Sequence, residues 1–300
     1  MKKELPIVTS GLVLGLLSLG NLLSNYSNIY RYIFGLLGIY LFIWLNVSII
    51  KNKSLKIQLN HPLVASVFTT YFMSGQIISG YILIFDKFGY WTLVLAKIIW
   101  WIFFLGNIIY MIYFTKKYIF NFKICHLYPS WSVLYVGILV SGLMINITGQ
   151  FLIEKIIFYY GLIATIILLP VIFYRIYILK LREHEFPNIT IICAAISLLL
   201  VDYMTVFDNK NIVFIKLLLT LSQLIYVFVL IQLPKLINRK FNPGFAAFTF
   251  PMVVSAMSLK LSSKIINLPV DIGYFANIET LIATIIVGYV FIKYIKFIIL

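Results

Sequence analysis

The chain has 300 residues, of which 62% are hydrophobic and only 11% charged. Soluble domains carry about 25% charged residues, so a water-soluble globular fold is excluded. The formal net charge of +15 is read as Lys and Arg anchoring the loops of a membrane protein, and no nucleic-acid partner is expected.

Apolar runs of membrane-crossing length recur along the whole chain. Ten spans are predicted, at 7–23, 29–50, 62–84, 91–113, 130–149, 152–178, 188–206, 212–237, 244–265 and 272–298. Most connections after the even spans are longer and basic, with Lys51, Lys53 and Lys56, then Lys116, Lys117 and Lys123, then Lys180 and Arg182, then Lys235, Arg239 and Lys240. Lys2, Lys3, Lys293 and Lys296 fall on the same side, whereas Arg31, Lys87, Lys155 and Lys210 fall on the other. The positive-inside rule then places both termini in the cytoplasm. Met1-Lys2-Lys3 precedes an apolar run without a small-residue cleavage site, so no cleaved signal is expected. Cys125 and Cys193 are expected to lie near the cytoplasmic side without a disulfide.

A repeat is visible in the punctuation. Pro6, Pro62, Pro129, Pro187 and Pro243 each open an odd span and recur every 56 to 67 residues. Proline suits a first helical turn, where its missing N–H is not needed, and five in register argue for one hairpin repeated five times. The odd spans hold small and polar residues, such as Gly11, Gly15, Ser74, Gly75, Ser141 and Gly142; the even spans are richer in Ile, Leu, Phe, Tyr and Trp. Small residues permit close helix approach and bulky ones can face lipid. The fold class expected is all-α integral membrane: five hairpins in one domain over 1–300, with inner odd helices around a central pore and outer even helices. Small residues serving packing alone, with no pore, is the competing reading.

The stretch Phe241–Lys260 carries the sharpest irregularity. Pro251 lies inside its span and deprives the Ala247 carbonyl of a donor. Such a break is tolerated in a membrane helix only where protein or a cavity satisfies the freed group. Phe250 immediately precedes it, either as a ring narrowing a path or as a packed aromatic. Of the charges within spans, Lys97, Asp202, Lys216, Lys260 and Glu279 sit toward the non-cytoplasmic third. The lysines are read as snorkelling to the interface, or Asp202 and Lys260 as ringing an outer vestibule. No mid-membrane carboxylate on an odd span offers a proton relay. His61, His126 and His184 lie in separate loops and nothing has metal-ligand spacing, so neither metal nor cofactor is expected and no enzyme is read. Five outward-running inner helices would turn their positive dipole ends to the cytoplasm, and with the basic loops would favour small anions.

The segment FNPGFAAFTFPMVVSAMSL resembles the ninth helix of the tellurite-resistance/dicarboxylate transporter family, which includes bacterial TehA proteins, fungal malate and sulfite transporters and the plant slow-type anion channels. Pro6-Ile7-Val8-Thr9-Ser10-Gly11 with Gly15 and Gly20-Asn21, His61-Pro62, Pro129-Ser130-Trp131 with Gly137, and Phe158-Tyr159-Tyr160-Gly161 are also similar to that family. The resemblance implies five hairpins around a pore, a homotrimer with one pore per protomer, and closure by a ninth-helix phenylalanine, which falls on Phe250. It implies a passive anion channel of the plasma membrane. The alternatives are a proton-coupled transporter of malate or of an oxyanion such as tellurite or sulfite, and a non-transporting scaffold. Many members carry bulky aromatics where Phe245 and Ala246 stand here, and the long regulatory termini of the plant channels have no counterpart, so kinase control is not inferred.

Overall fold

The computed structural model describes residues 5–51, 55–266 and 270–299. Lys2, Lys3, Lys53 and most of the turn predicted at 267–271 lie outside the described residues. Among the described residues ten helices cross the molecule: α1 (Thr9–Leu23), α2 (Asn28–Lys51), α3 (Pro62–Lys87), α4 (Trp91–Phe114), α5 (Ser130–Thr148), α6 (Phe151–Tyr177), α7 (Glu183–Val206), α8 (Ile212–Ile237), α9 (Pro243–Ile265) and α10 (Val270–Ile299). All but α1 are long and apolar enough to span a bilayer among the described residues. At 15 residues α1 is short, but a 3₁₀-type turn extends it, with the N–H groups of Thr9, Ser10 and Gly11 donating to the carbonyls of Pro6, Ile7 and Val8.

Burial separates the two classes. In the apolar windows of α3, α5, α7 and α9, 67%, 83%, 94% and 78% of residues are buried, against 28–33% in α2, α4, α6, α8 and α10. All of α1 except Asn21 is buried. The odd helices pack as a closed ring, α1 on α3, α3 on α5, α5 on α7, α7 on α9 and α9 back on α1, and each even helix packs outside its hairpin partner. Leu36, Ile98, Ile166, Leu224 and Ile285 on the outer faces are exposed, the surface that lipid tails cover.

The inner helices are also irregular. The second half of α5 (Gly137–Met144) and the starts of α7 (Glu183–Ile191) and α9 (Pro243–Phe248) are wound as 3₁₀ helix, and α3 is interrupted at Phe68. The outer helices run α-helical for 24 to 30 residues each. Apolar surroundings require every backbone group freed at a break to find a partner, and hydroxyls supply many of these. Tyr110 donates to the Ala65 carbonyl (2.6 Å) beside the α3 break, Tyr294 of α10 donates to the Pro243 carbonyl, and Tyr81 donates to the Leu17 carbonyl (2.6 Å). Of the five prolines read as helix starts, Pro62 and Pro243 occupy the first helical turn and Pro129 caps α5. Pro6 lies in the turn before α1, and Pro187 stands inside the 3₁₀ start of α7.

Within the ring α1 and α9 approach closely. A side chain added at Gly15 would bring its Cβ to 2.4 Å from Thr249 Cβ, and one at Gly11 to 3.3 Å from Ala246 Cβ. Gly11 and Gly15 are a small-xxx-small pair on one helix face. Gly15→Val is therefore expected to force α1 and α9 apart and lower the thermal unfolding midpoint of the purified protein, at a cost of about 1–3 kcal/mol. Gly288→Ala, where an added Cβ meets nothing within 4 Å, is expected to leave that midpoint unchanged or raise it.

Candidate functional site: the axis of the inner ring

The site is built from the break in α9. Its first six residues are 3₁₀ helix, and at Thr249 the chain changes to α winding. Pro251 lies in the first turn of that α-helical part, so the Ala247 carbonyl has no i+4 donor. The Thr190 hydroxyl of α7 reaches it at 2.8 Å. One residue earlier, the Thr249 hydroxyl is shared between the Ala246 carbonyl (2.8 Å) and the Gly11 carbonyl of α1 (3.0 Å). Similar bridges join α1 to α3 and α3 to α5: the Ser10 and Thr70 hydroxyls lie 2.7 Å apart, and those of Ser66 and Ser130 lie 2.6 Å apart. The irregular starts of the inner helices are thus laced to one another by hydroxyls.

This lacing fixes Phe250. The residue is 3% exposed and stands on the ring axis. It bounds a cavity of about 20 Å³, room for about one water, that Gly11 of α1, Thr70 of α3, Val133 of α5, Ile191 of α7 and Ala247 of α9 also line. On another side it meets a gap too small for water, between Met73, Gly137 and Ala194. Met73 fills the space over Gly137, where an added Cβ would fall 2.7 Å from the Met73 sulfur. Residues of all five inner helices therefore line the small cavity beside the Phe250 ring, and Met73 closes another side of it.

Toward the opposite ends of the inner helices the ring opens into a cavity of about 470 Å³, with Asn21, Gly80, Asn146, Thr205 and Lys260 contributed by α1, α3, α5, α7 and α9. Lys260, Lys264 and Arg31 line it, and among the described residues no carboxylate does. Lys260 thus stands at the mouth of this cavity.

Asp202 is placed differently. It is fully buried and does not line the mouth. Gly142, lacking a side chain, leaves a notch in α5 that the Asp202 carboxylate fills; a Cβ built there would fall 1.8 Å from Asp202 Oδ1. Neither Asp202 oxygen has a hydrogen-bond partner among the described residues. Glu154 of α6 is close enough to interact with it electrostatically, and accepts from Ser141 at 2.7 Å. The notch at Gly142 has no sequence signature of its own.

Loops expected to lie apart also meet, at the proline ends of α3, α5 and α7. Glu185, buried, accepts from the Tyr128 hydroxyl at 3.0 Å and from the Arg182 N–H at 2.8 Å, with His184 3.9 Å away. The His61 ring stacks on Tyr128 at 6.2 Å. Burial and the Glu185 carboxylate push the Tyr128 hydroxyl up to about 12, so it stays a donor at neutral pH. No cluster suited to a metal ion occurs among the described residues. Cys125 is exposed and Cys193 buried, each as a free thiol.

Ten crossings, a buried inner ring and an apolar outer surface define a multi-pass, all-α membrane protein. The chain belongs to the voltage-dependent anion channel (SLAC1) family, whose model matches residues 4–295, in agreement with the resemblance drawn from the ninth helix. A search of curated proteins found no match. Membership of a channel and transporter family makes anion transport the function at the level of class.

Thr190→Val removes the donor to Ala247 while keeping the shape of the side chain. It is expected to lower stability by about 1–3 kcal/mol, the cost of a buried unsatisfied carbonyl, measured as a lower thermal midpoint. Thr190→Ser is expected to keep the wild-type midpoint to within about 1 kcal/mol.

Proposed function

We propose that the chain is a passive anion channel of the plasma membrane, with both termini cytoplasmic, a path through the inner ring of each protomer, and Phe250 as its gate. One observation carries this reading: Phe250 is the point where all five inner helices meet, between a one-water cavity and a gap too small for water. Pro251 and its hydroxyl-bound neighbours hold the ring there. Pro6, Pro62, Pro129, Pro187 and Pro243 direct the positive ends of the inner helix dipoles toward the cytoplasm, where the basic loops add to the field. The lining at the gate is mostly apolar and binds anions weakly, which suits conduction. A homotrimer follows from the family resemblance, with the exposed outer helices available for protomer contacts.

A proton-coupled anion transporter is the second reading, favoured by the buried Asp202 carboxylate, unpartnered among the described residues, and its neighbour Glu154. Buried intramembrane carboxylates mark proton relays in coupled transporters.

The test is chloride, nitrate and malate flux through the purified chain in liposomes. Phe250→Ala is expected to raise flux at least tenfold, with or without a proton gradient. A merely packed Phe250 would instead give an unfolding cost of about 3–5 kcal/mol and no added flux. Wild-type malate uptake that collapses with the proton gradient, and is lost in Asp202→Asn, would replace the channel with the coupled transporter.

A further inference from the structure

Glu279 of α10 is buried within a membrane span, 5% exposed, and neither ion pair among the described residues includes it. A carboxyl so placed is costly, and in membrane proteins it marks function by default. Glu279 belongs to the outer layer but reaches inward, to a point where four helices meet. The Ser255 hydroxyl of α9 donates to its Oε2 at 3.1 Å. The Cys193 thiol of α7 and the Tyr226 hydroxyl of α8 interact with it electrostatically, and Gln223 of α8 faces it as well.

Ser255 is used differently from its neighbours. Ser10, Ser66, Ser132, Ser141 and Ser258 each return a hydroxyl to the carbonyl three residues back in their own helix. Ser255 instead bonds across to α10. It shares the α-wound part of α9, Thr249–Ile265, with Phe250. Steps of about 100° per residue place the two side chains about 140° apart around that helix. Phe250 therefore stands on the ring axis while Ser255 faces the outer layer. A rotation of α9 that takes the Phe250 ring off the axis also draws Ser255 away from Glu279. The anchor itself is firm, because α10 is α-helical over 30 residues. No water is at hand in these surroundings to replace the lost donor, so breaking the bond leaves a buried carboxyl oxygen unsatisfied.

We propose that Glu279 is a positioning residue. Through Ser255 it latches the Phe250-bearing part of α9 against the outer layer and so holds the ring on the axis. Its effect on transport rests on the Phe250 gate; the hold on α9 does not. Glu279 acts here as an acceptor, and a neutral amide oxygen can accept from Ser255 in the same place.

The experiment uses the full chain, with hydrogen–deuterium exchange of the α9 amides in detergent as one readout and chloride efflux from liposomes as the other. Ser255→Ala and Glu279→Ala are each expected to speed exchange across Thr249–Ser258 about tenfold, the effect of one buried hydrogen bond to a carboxyl on a local opening equilibrium. Exchange in α4, remote from the latch, is expected to stay unchanged. Each variant is also expected to raise chloride efflux, by up to about tenfold. The double variant is expected to do no more than either single one, because both remove the same bond. Glu279→Gln, which keeps an acceptor oxygen at the same reach, is expected to exchange and leak as wild type does. Placed in Phe250→Ala, Ser255→Ala is expected to add no further efflux, since no ring is left to hold.

Wild-type exchange in Ser255→Ala, a Glu279→Gln that loosens α9 as far as Glu279→Ala, or faster exchange spread over α4 as well as α9 each overturns the latch. Loosened α9 without added efflux, where Phe250→Ala does leak, overturns its part in holding the ring. Loosened α9 in Ser255→Ala with no efflux through Phe250→Ala supports the latch and overturns the gate. Efflux through Phe250→Ala with α9 unloosened in Ser255→Ala supports the gate and overturns the latch.

Discussion

Everything in the inner ring depends on one requirement: a backbone carbonyl freed inside a membrane has no water to turn to. The Ala247 carbonyl loses its helical donor to Pro251 and is met by the Thr190 hydroxyl of the neighbouring helix. Satisfying the carbonyl also ties α7 to α9, just as Thr249 ties α9 to α1 through the Gly11 carbonyl. Each break in an inner helix thus becomes a point of attachment between helices. Phe250 inherits its position from two such attachments, one on each side of it.

The two layers divide the physical work. Outer helices are bulky, lipid-facing and α-helical throughout, although Pro170 and Pro234 stand inside α6 and α8. Inner helices carry most of the prolines and the close-packed glycines and hydroxyls, and trade regular winding for close approach. Gly11 and Gly15 bring α1 against α9, Gly137 admits Met73 and Gly142 admits Asp202. A side chain at any of these places would widen the ring or displace the group that fills it. The same economy explains why the interior holds polar residues at low cost: most of their hydroxyls return to a carbonyl three or four residues back in their own helix.

Much of this was legible in the sequence. The predicted spans agree with the helices to within a few residues at most boundaries, because apolar length and loop charge are strong local signals. The contrast between small-residue and bulky spans gave the inner and outer rings. Pro251 marked the break, and the need for a donor to Ala247 followed from its missing N–H, although nothing in the sequence singled out Thr190. Less visible were features made by close approach between helices. Asp202 reads as a mouth charge by its distance from the helix end, yet the side of α7 it occupies is decided by a notch in another helix. His61 and His184 read as residues of separate loops, and the ring closure brings those loops together. The 3₁₀ winding of α5, α7 and α9 is likewise a property of crowding at the axis and leaves no periodicity that a short segment can show.

The 3₁₀ start of α9 has a mechanical meaning. A 3₁₀ helix advances about 120° and 2.0 Å per residue, whereas an α-helix advances about 100° and 1.5 Å. Each residue of Pro243–Phe248 that changes winding therefore rotates everything beyond it by about 20° and shifts it by about 0.5 Å along the helix axis. The segment is a screw thread on which the Phe250 ring is mounted: a change in winding over one turn swings the ring through a large arc while the continuous outer helices stay still.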